Sequence, residues 1–151
     1  MPMKYEEIIY KLGALCSQSE YCCSDMLKKM ERWEVDEKTQ AEVMAYLIKE
    51  RYIDEERFAR AYIRNKLRFD KWGRRKIEQG LYLKKVPKDT YQPLLAEVSD
   101  EEYIEVLKPL LDSKRKSIKA KSDYEMRGKL IRFAMGRGFD YEIIEKIIGI
   151  D

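Results

Sequence analysis

Arg57, Arg60, Arg64 and Arg68 step along the chain by three, four and four residues, and the basic run continues through Lys71, Arg74, Arg75 and Lys76. At helical pitch these guanidinium groups fall on one face, where their planar donor forks suit carboxylates or phosphates. Their other reading is a solvated helix face paired with acids one turn away. A second run, Lys114, Arg115 and Lys116 with Lys119 and Lys121 following, is either a polyanion contact or a soluble linker. From Asp54 to Lys76 there are nine basic and four acidic residues, and from Lys108 to Lys121 six and one. The whole chain carries only +3, so positive charge is concentrated in two segments, as a surface facing a polyanion or an acidic protein requires.

Other chemistry finds little support. The chain has no histidine to act as a general base near neutral pH, and it lacks a nucleophile elbow and a phosphate-binding glycine loop. Glu55 and Glu56 are explained as first-turn carboxylates that complement a helix dipole. Cys16, Cys22 and Cys23 form no zinc-ligand pattern and, being odd in number, no secreted disulfide framework. They are expected to be reduced packing residues. We therefore expect no catalytic residue, no metal and no cofactor. Trp72 reads as a packing wedge or as a stacking platform. No apolar leader or membrane-length stretch is evident, so a cytoplasmic protein is expected.

The elements that must position these side chains are helices. With 39% charged residues, few Gly and Pro and no alternating strand pattern, the 151-residue chain reads as all-α. Asp54 is the expected cap of a helix whose core stripe is Phe58, Tyr62, Ile63 and Leu67. Before it come a helix with Ile8, Ile9, Leu12 and Leu15, a helix capped by Ser24 with Met26, Leu27, Met30 and Trp33, and one capped by Asp36 with Val43, Met44, Leu47 and Ile48.

The spacing recurs. Met26, Met30 and Val35 stand at intervals of four and five, as do Ile77, Leu81 and Val86, and Leu130, Ala134 and Phe139. Val43 and Met44 find counterparts in Leu94 and Leu95 and in Ile147 and Ile148, and Asp54-Glu55-Glu56 in Asp100-Glu101-Glu102. This pattern predicts an N-terminal helix over 1–18 and three tandem three-helix repeats over 19–72, 73–122 and 123–151, the last truncated, in an elongated, curved array. Pro109 is expected to kink its helix or mark its start. Gly73, Gly128, Gly136 and Gly138 are expected at repeat joints.

Tyr52-Ile53-Asp54-Glu55-Glu56-Arg57-Phe58-Ala59, with Ile63 and Arg64 beyond it and then Trp72-Gly73 and Lys76-Ile77, resembles the central pattern of the RecX family of bacterial regulators of the RecA recombinase. Ser24 to Met30 resembles that family's first repeat and Lys129 to Phe139 its third. The resemblance implies an all-helical, non-enzymatic protein that lies in the groove of the RecA–DNA filament and inhibits recombinase, ATPase and coprotease activity, within DNA recombination, repair and the SOS response. It further implies a RecA filament as partner, single- or double-stranded DNA as an additional one, and a monomer. Tyr52, Asp54, Phe58, Ala59, Gly73 and Ile77 would be its structural positions and Arg57 its leading surface contact. Reversing Arg57, Arg60 and Arg64 to Glu together is expected to leave the fold intact. Two residues depart from the family: Gly80, which costs about 1 kcal/mol of helix stability against Ala, and Ala134, smaller than the usual Leu. The competing readings are a helical module that binds DNA or RNA directly through both basic runs and a helical adaptor that uses the same surface for some other acidic protein.

Overall fold

In the computed structural model, residues 3–149 are described, and among them lie nine helices and no strand. They are α1 (Tyr5–Cys16), α2 (Cys23–Arg32), α3 (Glu37–Lys49), α4 (Glu55–Arg68), α5 (Arg74–Leu83), α6 (Lys88–Ala96), α7 (Asp100–Ser117), α8 (Asp123–Gly136) and α9 (Tyr141–Ile148). None is long and apolar enough to cross a membrane. The chain forms two compact units, one of residues up to Ala61 with Leu81–Tyr91, the other of Tyr62–Gly80 with residues from Gln92 onward.

In the first unit α3 packs on α1 and α2 around Ile8, Leu12, Met26, Met30, Val43, Met44, Leu47 and Ile53, all buried. Periodicity selects all of these except Ile53, which lies between α3 and α4 and belongs to no helical stripe, while Leu27 and Ile48, drawn into the same stripes, lie off the core face and are exposed. In the second unit α7, α8 and α9 pack on one another around Leu107, Leu111, Leu130, Phe139, Ile143 and Ile144. The Tyr103 and Phe139 rings meet edge to face there.

The inferred repeat has a geometric cause. In each copy the N–H of the third apolar residue reaches back to the carbonyl of the second: Val35 to Met30 at 2.9 Å, Val86 to Leu81 at 3.2 Å and Phe139 to Ala134 at 3.2 Å. In each, the residue between is left-handed, with φ of 58° at Glu34, 61° at Lys85 and 93° at Gly138. This is a helix C-terminus closed by a left-handed residue whose follower tucks an apolar side chain under the last turn. The interval of five is the signature of that closure. Only the third copy uses glycine, so Glu34 and Lys85 each bear a backbone cost of about 1 kcal/mol.

Several expectations are corrected. Ser24 does not cap α2: it lies one residue inside the helix, buried, and its hydroxyl donates to the Lys84 carbonyl at 2.7 Å. The N-cap is Cys22, whose amide donates to the Asp25 carboxylate at 3.1 Å. Asp36 does cap α3, through Thr39. Pro109 sits within a continuous α7 and is not its start, which is set by Ser99 accepting from the Glu102 amide. Since Ser99 occupies the place Asp54 holds on α4, the two Asp-Glu-Glu triplets are one residue out of register. Gly128 lies inside α8, not at a joint. In the third copy Ile147 and Ile148 are half-buried, and the buried pair is Ile143 and Ile144, one turn earlier. Gly80 does not interrupt α5. A Cβ there would meet the Tyr62 hydroxyl at 2.0 Å, so glycine makes room for that ring. Ala134 is fully buried.

Candidate functional site

The basic run divides between side chains spent on the fold and side chains left outward. Asp54 accepts from the Arg57 amide at 2.9 Å, capping α4 as expected. Glu55 accepts from the Cys23 amide at 3.1 Å and so helps start α2, while Glu56 pairs with Arg60 at 3.1 Å. Arg57, the expected leading surface contact, is exposed and is also engaged within the fold. Its Nε donates to Glu20 at 2.7 Å and its Nη2 to the carbonyls of Arg51 and Tyr52, both at 3.1 Å. It closes the turn after α3 onto α4, and most of its donor fork is consumed. Tyr52 stacks on Tyr46 and passes 3.7 Å from the position a Gly13 Cβ would take. Phe58, Ala59 and Ile77 are buried, as their structural role requires.

In the second unit, the turn between α4 and α5 is held by the turn between α8 and α9. Gly73 N–H donates to the Arg137 carbonyl at 2.8 Å and Arg75 N–H to the Gly138 carbonyl at 3.0 Å. Arg137 replies through its guanidinium, donating to the Lys71 carbonyl at 3.1 Å and the Asp70 carbonyl at 2.5 Å. A Cβ on Gly73 would fall 2.4 Å from Phe139 backbone, and one on Gly138 2.4 Å from the Lys76 Cβ. The two backbones cross too closely for any side chain.

This crossing positions the remaining cations. Arg74 is fixed inward, its Nε and Nη2 on Asp140 at 2.8 and 2.9 Å and its Nη1 on Glu78 at 3.2 Å. Lys71 donates to the Arg68 carbonyl at 2.7 Å and ends α4. Trp72 lies between two ammonium groups, Lys66 at 4.8 Å and Lys76 at 4.7 Å from its ring. Arg68 is loosely paired, 3.7 and 3.6 Å from Glu102 and Glu105. Arg64 and Arg75 are exposed, with no side-chain ion pair among the described residues. Arg75, Lys76 and Gln79 line a cavity of about 320 Å³ against Gly136 and Gly138.

In the second basic run Lys114 lies over the Phe133 ring at 4.9 Å, and Arg115 and Lys116 are exposed. Two exposed aromatic side chains next to the basic runs escaped the sequence reading. Phe69, at the end of α4, is 79% exposed beside Arg68, and Tyr124, on α8, is 88% exposed. Phe69 was legible as the aromatic that falls off the Phe58–Ile63–Leu67 period.

Burial pushes all three thiols up, and Glu55 helps push Cys23 to about 12, so no cysteine is a ready thiolate. Burial likewise pushes the Tyr103 phenol to about 12. Among the described residues no group of His, Cys, Asp or Glu could hold a metal ion.

The fold is that of an all-α repeat protein with a basic corner held rigid by a backbone crossing. Residues 54–92 match the second three-helix domain of RecX and residues 100–148 the third. A protein named Regulatory protein RecX from Chlorobium limicola is 33% identical over 141 residues, covering 91% of this chain and 83% of that protein. The chain belongs to the RecX family. The protein of the same name from Lactobacillus johnsonii is 36% identical over 102 residues, of which this chain spans 38%, and the Oceanobacillus iheyensis one is 30% identical, of which it spans 47%. The chain thus covers half or less of these longer relatives. A crystal structure of RecX from Lactobacillus salivarius superposes with a TM-score of 0.84 at 20% identity, covering 96% of this chain and 94% of that one, which shows the shared fold. The matched domains group α4 to α6 and α7 to α9, one helix earlier than the grouping 19–72, 73–122 and 123–151. Both groupings have a three-helix period and differ in where the count begins.

Proposed function

We propose that this chain is a cytoplasmic, monomeric, non-enzymatic regulator that binds a RecA–DNA filament and inhibits recombinase, ATPase and coprotease activity by occupying the filament groove. Family membership supports the reading, and the observation that carries it to residues is the set of cations left unspent by the fold. Among the described residues Arg64 and Arg75 have no ion pair, Arg68 is loosely paired, and Phe69 stands exposed beside it. Arginine and a large aromatic are the residue types that anchor protein interfaces. Lys71 and Lys76 add charge in the same unit, whereas Arg74 acts by shaping the turn between α4 and α5. Co-sedimentation with preassembled RecA filaments tests this. Recovery of the protein in the filament pellet is expected, and its absence overturns the reading.

A second reading, direct binding to single- or double-stranded DNA, is favoured by one observation: the exposed Tyr124 lines one surface depression with the exposed Arg132, and the exposed Arg115, Lys116, Lys119 and Lys121 precede it in the chain. That combination suits stacking plus phosphate contact. It predicts affinity for naked DNA that falls steeply with salt without recombinase. Weak, salt-insensitive binding rejects it.

A further inference from the structure

α5 ends on two large apolar side chains that the fold does not use. Tyr82 is 73% and Leu83 65% exposed, while Leu81, one residue earlier, is fully buried. With Val86 and Tyr91 they line a cavity of about 480 Å³ whose remaining walls are Lys85 and Lys88. Both lysines are exposed.

The repeat supplies its own control. Aligned on the buried Met30 and Leu81 and the left-handed Glu34 and Lys85, the positions of Tyr82 and Leu83 are held in the first copy by Glu31 and Arg32, also exposed. The positions of Lys85 and Lys88 are held there by Glu34 and Glu37. Over the ten residues after the buried helix residue, the first copy carries four acids and two bases, and the second three lysines and one acid. The same backbone frame is satisfied by a polar, acidic surface in one copy and displays an apolar, basic one in the other. Folding therefore does not demand Tyr82 and Leu83, and a concave apolar surface left open at a helix end is the character of a docking site.

We propose that the corner between α5 and α6 is a docking site for an acidic protein segment carrying large apolar side chains, whose apolar groups enter the groove between Tyr82, Leu83 and Val86 and whose carboxylates meet Lys85 and Lys88. Charge complementarity selects an acidic occupant. The concave shape, sized for one or two side chains, favours a peptide over a flat lipid surface. The site uses none of the residues assigned above to the filament, so it stands or falls separately.

The test is fluorescence anisotropy with a fluorescein-labelled peptide that has Leu-Phe at its centre and two Glu on each side. A matched peptide with Ser-Ser at the centre and vesicles containing phosphatidylglycerol serve as comparisons. Two variants carry residue types that the first copy already accommodates: Tyr82→Glu with Leu83→Arg, and Lys85→Glu with Lys88→Glu. Saturable binding of the Leu-Phe peptide is expected, with the Ser-Ser peptide and each variant weaker by about tenfold or more. Absence of saturable binding overturns the proposal. So does equal binding of the two peptides to the wild-type chain, a comparison independent of how the variants fold. Equal binding by variants of unchanged helical circular dichroism, or capture by vesicles in place of peptide, overturns it as well.

Discussion

Gly73 and Arg137 are joined backbone to backbone, the glycine N–H donating to the arginine carbonyl at 2.8 Å, and a Cβ on Gly73 would lie 2.4 Å from the backbone of Phe139, two residues beyond that arginine. The turn that carries Lys71 to Lys76 is therefore held at contact distance by main chain, which cannot move aside as a side-chain tip can. Gly73→Ala is expected to cost about 1–3 kcal/mol through overpacking. Urea denaturation would show it as a lower midpoint with an unchanged slope.

Gly80 and Tyr62 invite a sign test. In isolation, alanine at a helical position is better than glycine by about 1 kcal/mol. Here the Tyr62 hydroxyl occupies the place of the missing Cβ. Gly80→Ala should therefore destabilise the protein that keeps Tyr62 and stabilise the Tyr62→Ala background. A double-mutant cycle reads the reversal directly, and the same sign in both backgrounds would refute it.

Arg57 and Arg64 are neighbours on one helix with different duties. Arg57→Ala loses the bonds to Glu20 and to the carbonyls of Arg51 and Tyr52. It should cost about 1 kcal/mol of stability, discounted because the pair is partly exposed. Arg64→Ala should leave thermal unfolding within about 0.5 kcal/mol of wild type. The triple reversal of Arg57, Arg60 and Arg64 therefore mixes a folding defect with a surface change.

Asp25 links stability to acid. Burial pushes its carboxyl up, but the Lys84 ammonium at 2.8 Å and the Cys22 amide at 3.1 Å outweigh it and hold the group below the usual carboxylate range. Because the folded form binds its proton at lower pH than the unfolded form, this contribution is complete above the unfolded value of about 3.9. It is lost as pH falls below that value through the folded one. Asp25→Asn should weaken the protein near neutrality and flatten the acid limb of its stability below about pH 4. Denaturation midpoints across that range would show it, and an unchanged acid limb would assign the loss to other carboxylates.

What the sequence disclosed was the part whose cause is local. The intervals Met30 to Val35, Leu81 to Val86 and Ala134 to Phe139 report a helix closure within five residues, so the repeat and the buried positions could be read directly. Asp54 and Asp36 cap by reaching three residues ahead, equally local. Ser24 misled because its true partner, the Lys84 carbonyl, is 60 residues away. The internal duty of Arg57 was hidden for the same reason, since Glu20 lies 37 residues upstream. Spacing could place the arginines on one face, but which of them the fold consumes depends on acids and carbonyls brought close by tertiary packing. Glu34 and Lys85 carried no sign of their left-handed backbone, because neither is Gly or Asn.

The most direct test of the proposed function is the rate of ATP hydrolysis by a RecA recombinase on single-stranded DNA, titrated with this protein and with a variant carrying Arg64→Glu and Arg75→Glu. Hydrolysis should fall as wild-type protein is added. The variant, with unchanged helical circular dichroism, should need about tenfold more protein or higher for the same effect. Hydrolysis that stays constant at saturating wild-type protein would contradict the account.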